Sequence, residues 1–483
     1  MIVPARRIAV VRALQLGDML VAVPALRALR AGYPDAEITL IGLPWAASFA
    51  ARLDRYVNRF LPFPGWPGID EVSYDEARTE RFIAEARAHD YDLVIQMHGS
   101  GGQSNPFALA LGARVTAGYY DGPHPHPMRI GLSALRSRQP NRLSLTRERG
   151  ARDEGSCSPS PVIRGMGPVC ERSADPTGSA GVSPVPSVQA ADARGEAIRS
   201  PSPAVRERGP GGEGVLWPAA PYPHDQPEVL RNLGLAALLG CPDCGTALEF
   251  PLLSEDHAEA DALLEPLAGD DRPLIGIHAG ARPPARRWPP ARFAAVADNL
   301  ARRHDAHIIL IGGPGEEETV TAVAERMSAR ALNLAGRTSL GGLAALLARL
   351  SLFIGNDSGP AHLAEAVGAP TVRLFGPADV DRWAPRDRTR HVVVRHPVAC
   401  SPCEYWECPI DHRCLRRIAP ANVTRAADGL LTPTKRGPSG GAGGSFIPVG
   451  HGTGRLQQMP TRPDGARREE PQRNHVREGI CGA

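Results

Sequence analysis

No stretch of this 483-residue chain contains the roughly 18 consecutive apolar residues that a bilayer-spanning helix requires, so no membrane span is expected. Net charge is also nearly absent. The 55 Lys and Arg against 52 Asp and Glu leave +3, which gives no basis for nucleic-acid binding. Met1 to Val11 is a short basic lead into an apolar run, without the h-region and cleavage site of a secretory signal. The protein is therefore expected to be made and kept in the cytoplasm. Nine cysteines are an odd, uneven set, and a chain this long excludes a small disulfide-rich fold. Four fall in the run Cys400, Cys403, Cys408 and Cys414, and two more form Cys241-Pro-Asp-Cys244. A structural zinc at the four-cysteine run is one reading of the short Cys-x2-Cys spacing. The looser second half of the run favours unmetallated thiols in a surface loop, with redox pairing the remaining alternative.

What is present has the size and composition of two ordinary globular domains, with 42% hydrophobic and 22% charged residues. Ile8–Val11, Glu37–Ile41 and Asp92–Met97 read as short strands, each followed by a helical pattern or a Gly-rich turn. The rhythm returns with Leu274–His278, His307–Ile311, Ser351–Ile354, Thr371–Leu374 and His391–Arg395, with helices such as Ala291–Arg303 and Leu343–Ala348 between. Two successive βα halves predict two Rossmann-like parallel sheets facing a cleft, with ligands beyond the carboxyl ends of the strands. Between about 135 and 214 the pattern breaks into Pro, Ser, Gly and Arg, and Arg147-Glu148-Arg149-Gly150 is echoed by Arg206-Glu207-Arg208-Gly209. Such composition cannot bury enough apolar surface to offset its ordering entropy. Residues 136–214 are read as a disordered insertion, with a functional linker as the rival. Residues 433–483 are read as a disordered tail, with eight Lys or Arg against four acids. The expected domains are 1–268 around that insertion and 269–432.

Four places carry candidate chemistry. Leu352 to Ala364 runs an apolar strand into Asn356-Asp357-Ser358-Gly359-Pro360, then a helix containing His362. A helix start leaves N–H groups without intrahelical partners and favours anions, phosphate above all. Asp357 and Ser358 suit the N-cap, Gly359 permits close backbone approach, and Pro360 suits the first helical position. An ordinary strand-to-helix turn is the bland alternative. Gly17-Asp18 follows the first strand, where the glycine would permit a sharp turn and the carboxylate could accept a proton as general base. The alternative is that Asp18 merely caps the next helix, and a helix N-terminus would weaken it as a base. Arg286-Arg287-Trp288-Pro289 follows the strand ending at His278, and its guanidinium groups could neutralise a leaving diphosphate. A solvated basic loop is the competing reading, and Trp288 reads as packing. After Ile311, Gly312-Gly313-Pro314-Gly315-Glu316-Glu317 suits a nucleoside, with one acid on the ribose hydroxyls. His98, at the end of the third expected strand, is read as either a substrate contact or a structural histidine. A nicotinamide-binding fold fits poorly, because Gly17 has no second or third fingerprint glycine after it.

Residues 6–135 and 216–425 together resemble glycosyltransferase family 9, the ADP-heptose:lipopolysaccharide heptosyltransferases. The resemblance rests on Gly17-Asp18 with Pro24-Ala25-Leu26-Arg27, on Arg286-Arg287-Trp288-Pro289, and on Gly355 to Ala364. Leu374-Phe375-Gly376-Pro377, Trp383-Ala384-Pro385 and the Cys400 to Cys414 run add to it. It implies a GT-B fold, with the acceptor on the N-terminal domain and the nucleotide-sugar on the C-terminal domain. It implies a metal-independent inverting displacement with no cofactor. Asp18 matches the family's catalytic base and Arg286 its donor-phosphate cation, an arginine where the family often has lysine. Arginine keeps the charge and changes the reach. Asp357, Ser358, Gly359 and Pro360 match the diphosphate turn with His362 beside it, and Glu316 or Glu317 matches the ribose-binding acid. Gly17, His98 and Arg287 complete the expected site. The implied partners are ADP-heptose and a lipopolysaccharide or other glycolipid acceptor, with peripheral contact at the inner membrane. The alternatives are a different nucleotide-sugar, or a non-catalytic nucleotide-sugar-binding protein disabled by its insertion.

Overall fold

In a computed structural model, residues 3–121 and 216–432 are described. The expected insertion at 136–214 and tail at 433–483 lie outside them.

Two six-stranded parallel sheets organise the described residues. The first is ordered β3-β2-β1-β4-β5-β6, from Arg59–Pro62 (β3), Glu37–Gly42 (β2), Arg7–Val11 (β1), Leu93–Gln96 (β4), Val115–Tyr120 (β5) and Leu216–Pro221 (β6). The second repeats that order as β9-β8-β7-β10-β11-β12. Its strands are Ala331–Asn333 (β9), His307–Ile311 (β8), Leu274–His278 (β7), Leu352–Asn356 (β10), Thr371–Phe375 (β11) and His391–Arg395 (β12). This is the doubly wound order in which winding reverses between two central strands. Those strands are β1 and β4 in one sheet and β7 and β10 in the other. Ile8, Ala9, Val10 and Val11 are all buried, as are Leu352, Phe353 and Ile354. Apolar residues on both faces are what a helix-covered parallel sheet demands.

The eight expected strands all form, with ends shifted by at most two residues: β10 runs on to Asn356 rather than stopping at Ile354. β3, β5, β6 and β9 escaped the sequence reading, being short or interrupted by Gly or Pro: Arg59-Phe60-Leu61-Pro62, for example, offers two apolar residues. Helix Pro290–His304 has Pro at its first position and Arg302, Arg303 and His304 in its last turn, and stops at Asp305 in the left-handed region (φ 46°). Helix Leu340–Ala348 starts three residues earlier than expected, because the Ser339 side chain caps it by accepting from Gly342 N–H.

Both sheets belong to one compact unit, and one apolar cluster runs from Ile8 and Leu40 through Leu334 and Leu347 to Leu363. Helix Ser254–Leu264 packs on Leu340–Ala348, while Asp256 pairs with Arg52 of the first half. Helix Leu16–Leu20 packs on helix Gly359–Ala366, so the carboxyl ends of the sheets meet at the expected cleft. No helix among the described residues is long and apolar enough to cross a membrane.

Candidate functional site

In the first half, β1 ends at Val11, and the next side chain, Arg12, is fully buried. Its Nε donates to the main-chain oxygen of Asp18 at 2.8 Å, and Nη1 donates to the Met97 carbonyl and to Asn232 Oδ1, the latter at 3.0 Å. The end of β4 is thereby tied to the turn that carries Asp18. Asp18 is not a cap: it lies inside helix Leu16–Leu20, whose N-cap position is Gln15. A helix barely longer than one turn has little dipole with which to stabilise a carboxylate. Burial raises the Asp18 pKa above its ordinary value; Glu228 pushes the same way, against the cations Arg12, Arg382 and Arg286. The expected sharp turn at Gly17 is also corrected, because Gly17 is helical. Its missing side chain serves another need. A Cβ there would stand 2.9 Å from His362 Cδ2 of the second half, so only glycine permits this approach.

His98 lies beside Arg12. Its Nδ1 accepts from Ala13 N–H at 3.3 Å, and burial, reinforced by Arg12, pushes its pKa down to about 4. A neutral ring bracing two strand ends is the structural reading of this histidine.

In the second half, Asn356 closes β10. Its Oδ1 accepts from Trp288 N–H at 3.0 Å, and Nδ2 donates to the carbonyls of Ala279 (2.9 Å) and Gly280 (3.1 Å). The Arg286–Trp288 loop is thus fixed against the end of β7, and Trp288 is fully buried against Phe293, as packing. Ser358 occupies the N-cap position of helix Gly359–Ala366 without making a side-chain cap. Its hydroxyl donates to the Asn356 carbonyl (3.2 Å) and lies 3.4 Å from His278 Nδ1. The capping expected of Asp357 and Ser358 therefore does not occur, and the first-turn N–H groups are left without a side-chain acceptor. Pro360 stands in the first turn, and Gly359 lets the backbone approach Leu16, where a Cβ would sit 3.2 Å from the leucine's own.

Asp357 is buried and its Oδ1 has no hydrogen-bond partner among the described residues. Burial, with a further push from Asp18, raises its pKa to about 6 despite Arg286 and Arg373. The two carboxylates, one from each half, thus feel each other's charge. Arg286 Nη1 is 3.5 Å from Asp357 Oδ2 and a third of its side chain is exposed (34%), leaving donors for a ligand. Burial, then the cations Arg373 and Arg286, hold His362 neutral. Its Nδ1 lies 3.3 Å from Arg373 Nη1, which can only donate. The proton therefore belongs on Nε2, which points toward Asp357 Oδ1 at 3.7 Å, too long for a hydrogen bond.

Glu316 and Glu317 separate cleanly. Glu316 Oε2 is 2.9 Å from His278 Nε2 and accepts from Gly313 N–H at 2.8 Å. Burial opposes its ionisation, but His278, that N–H and Arg287 prevail and hold its carboxyl below the usual range. Its carboxylate occupies the place a Cβ on Gly280 would take. Glu317 is exposed and accepts from Gly315 N–H at 2.8 Å, closing its own turn. Arg287 Nε donates to the Ala281 carbonyl at 2.8 Å and braces its loop.

In the cysteine run, Cys400 is exposed, Cys403 and Cys408 are half-buried and Cys414 is buried, and the Trp406 carbonyl within it accepts from Ala285 N–H, next to Arg286, at 3.0 Å. Among the described residues no group of three or more His, Cys, Asp or Glu side chains is arranged to hold a metal ion. Sequence reasoning missed Arg12, Glu228 and Arg382, which surround Asp18 with charge. The one available signal was Arg12, a charge directly after the apolar run Ile8–Val11.

Two doubly wound parallel sheets meeting at their carboxyl ends, with a carboxylate on one side and a helix N-terminus on the other, define the GT-B class of α/β proteins. Among solved structures, the family 9 glycosyl transferase of Veillonella parvula is similar with a TM-score of 0.58 at 20% identity, covering 88% of this chain and 97% of that one. The ADP-heptose LPS heptosyltransferase II of E. coli gives 0.54 at 19% identity, covering 88% and 98%. Residues 217–413 match the family profile "Glycosyltransferase family 9 (heptosyltransferase)". Lipooligosaccharide heptosyltransferase 2 of Campylobacter jejuni is 33% identical over 165 residues, 33% of this chain and 51% of that protein. Lipopolysaccharide heptosyltransferase 2 of Salmonella typhimurium is 31% identical over 157 residues, 31% of this chain and 45% of that protein. The chain thus spans about half the length of the curated relatives it matches.

Proposed function

We propose that this protein is an inverting glycosyltransferase that moves a heptose from ADP-heptose to a lipopolysaccharide core or related envelope glycan. The observation that carries the reading is the position of Asp18: raised in pKa by burial, it faces the uncapped helix start at Ser358–Gly359 and the half-free Arg286. Similarity of residues 217–413 to the heptosyltransferase family profile, and to heptosyltransferase relatives, supports this choice of donor.

In this reading the Asp18 carboxylate takes the proton of an acceptor hydroxyl as that oxygen bonds to the anomeric carbon. The bond from that carbon to the diphosphate breaks on the opposite face, which inverts the centre. The departing ADP carries the electron pair as negative charge, which Arg286 and the first-turn N–H groups neutralise. These groups supply the charge stabilisation that a metal ion would otherwise provide. Glu316, rather than Glu317, is the acid for the ribose hydroxyls, because it is the one that faces the site. His362 offers a fixed Nε2–H donor beside the phosphates. The acceptor belongs on the first half, and a glycolipid acceptor would bring the protein to the cytoplasmic face of the inner membrane.

Calorimetric titration of the full chain with ADP-heptose, ADP and UDP tests the donor. Preference for ADP-heptose or ADP supports the reading, and equal or absent binding of all three sinks the donor assignment. The same titration without residues 136–214 addresses the rival in which the insertion disables the protein, since that rival predicts binding only after deletion.

A further inference from the structure

Glu228 is the meeting point of three arginine side chains that the displacement itself does not use. It begins helix Glu228–Leu238 in the first half and is 4% exposed. Its carboxylate lies 3.5 Å from Arg12 Nη2, 3.3 Å from Arg231 Nη1 and 3.0 Å from Arg382 Nε. Arg12 and Arg231 belong to the first half. Arg382 comes from the short helix Val380–Trp383 beyond β11 in the second half, and its guanidinium stacks 4.7 Å from the Trp383 ring. Asn232, one turn along, accepts from Arg12 at 3.0 Å and donates to the Val21 carbonyl at 3.2 Å. Asp18 therefore sits between an arginine that holds its main chain and a carboxylate that both halves must satisfy.

We infer that Glu228 is a positioning residue for Asp18: by receiving Arg382 across the cleft and Arg12 beside the turn, it sets the base in place when the two halves are together. Removing Glu228 alone leaves three arginines without their buried partner, and removing Arg382 leaves Glu228 to the first half only. The inference rests on the assignment of Asp18 as the base.

The groups facing Asp18 are Arg12, Glu228, Arg382, Arg286 and Asp357, with the neutral His98 and His362 beside its turn. Because Glu228 is an anion and Arg382 a cation, their removal moves Asp18 in opposite directions. Glu228→Gln should shift the acid limb of the kcat/KM profile for heptose transfer to lower pH, and Arg382→Gln should shift it to higher pH. Each displacement should be on the order of half a pH unit. Arg382→Lys, which keeps the charge, should restore the wild-type limb. The Asp18 carboxyl is titrated in parallel by infrared difference spectroscopy of wild type against Asp18→Asn, which needs no sugar donor. Opposite shifts in both readouts support the inference. Opposite infrared shifts in a protein that transfers no heptose support the coupling and remove the substrate assignment. Limbs and infrared titrations that stay in place, or move the same way in both variants, overturn it. Should Glu228→Gln fail to fold, the partly exposed Arg382 pair decides alone.

Discussion

Asp18 and Asp357 each lie beyond a strand bordering the switch point of its own sheet, one in each half, and both have pKa values raised first by burial. Their surroundings differ. Asp18 rides on a helix of five residues, with its main chain held by Arg12. Asp357 precedes an eight-residue helix whose start has no side-chain cap, with Arg286 3.5 Å away. On the proposed reading, one strand order thus positions a proton acceptor in the first half and an anion site in the second. The lesson is that the strand ends fix where chemistry happens, while the length and capping of the next helix fix which chemistry it is.

The largest effect that would sharpen this comparison is on turnover. Asp18→Asn should lower kcat for heptose transfer by about 100- to 10,000-fold, the usual contribution of a positioned base, and should leave the calorimetric affinity for ADP within a factor of two or so. Equal transfer by wild type and variant would remove Asp18 as the base. A joint loss of transfer and ADP binding would mean that the halves do not divide the work. Next comes the anion side. Arg286→Ala should weaken ADP about 10- to 100-fold, since a hydrogen bond to a charged group is worth roughly 1.5–3 kcal/mol. Arg286→Lys should recover part of the affinity. An unchanged dissociation constant for Arg286→Ala would return that loop to a solvated basic segment.

Much of this division was legible in the chain. Strand-sized apolar runs separated by helical periodicity gave the two parallel sheets, because such strands are buried on both faces and read as continuous Val, Ile and Leu. Asp357, Ser358, Arg286 and Asp18 were legible because each falls within a few residues of such a run. The partners of Asp18 were not. Glu228 and Arg382 stand about 210 and 360 positions away from it, and nothing local distinguishes a buried arginine from a solvated one until the sheet order brings them together. Gly17 was noticed for the wrong reason: the constraint is a histidine of the other half, not its own backbone.

The second carboxylate gives a test by stability. The Asp357 pKa is raised from 3.8 to about 6 in the folded protein, so folding favours the protonated form. Its contribution is most favourable below the unfolded value and is lost as pH rises through about 6. Asp357→Asn removes that dependence. Its melting temperature relative to wild type should rise between pH 4 and pH 7 and then level, by an amount worth on the order of 2 kcal/mol. A difference that does not change with pH would mean Asp357 is ionised throughout and held by Arg286 as a plain ion pair.

The smallest effect compares two neighbours in one turn. Glu316 touches His278 and Gly313 N–H, while Glu317 only closes the turn at Gly315. Glu316→Gln keeps the shape but replaces the acceptor facing His278, and should weaken ADP by a few fold, about 1 kcal/mol. Glu317→Gln, at an exposed position, should change stability by no more than about 0.5 kcal/mol and leave ADP affinity unchanged. AMP and adenosine serve as further probes: a ribose contact should cost all three ligands alike, whereas a phosphate contact should cost ADP most. If Glu317→Gln proved the more damaging variant, the turn would rearrange on binding, and the inward-facing acid would not be the one that holds the nucleoside.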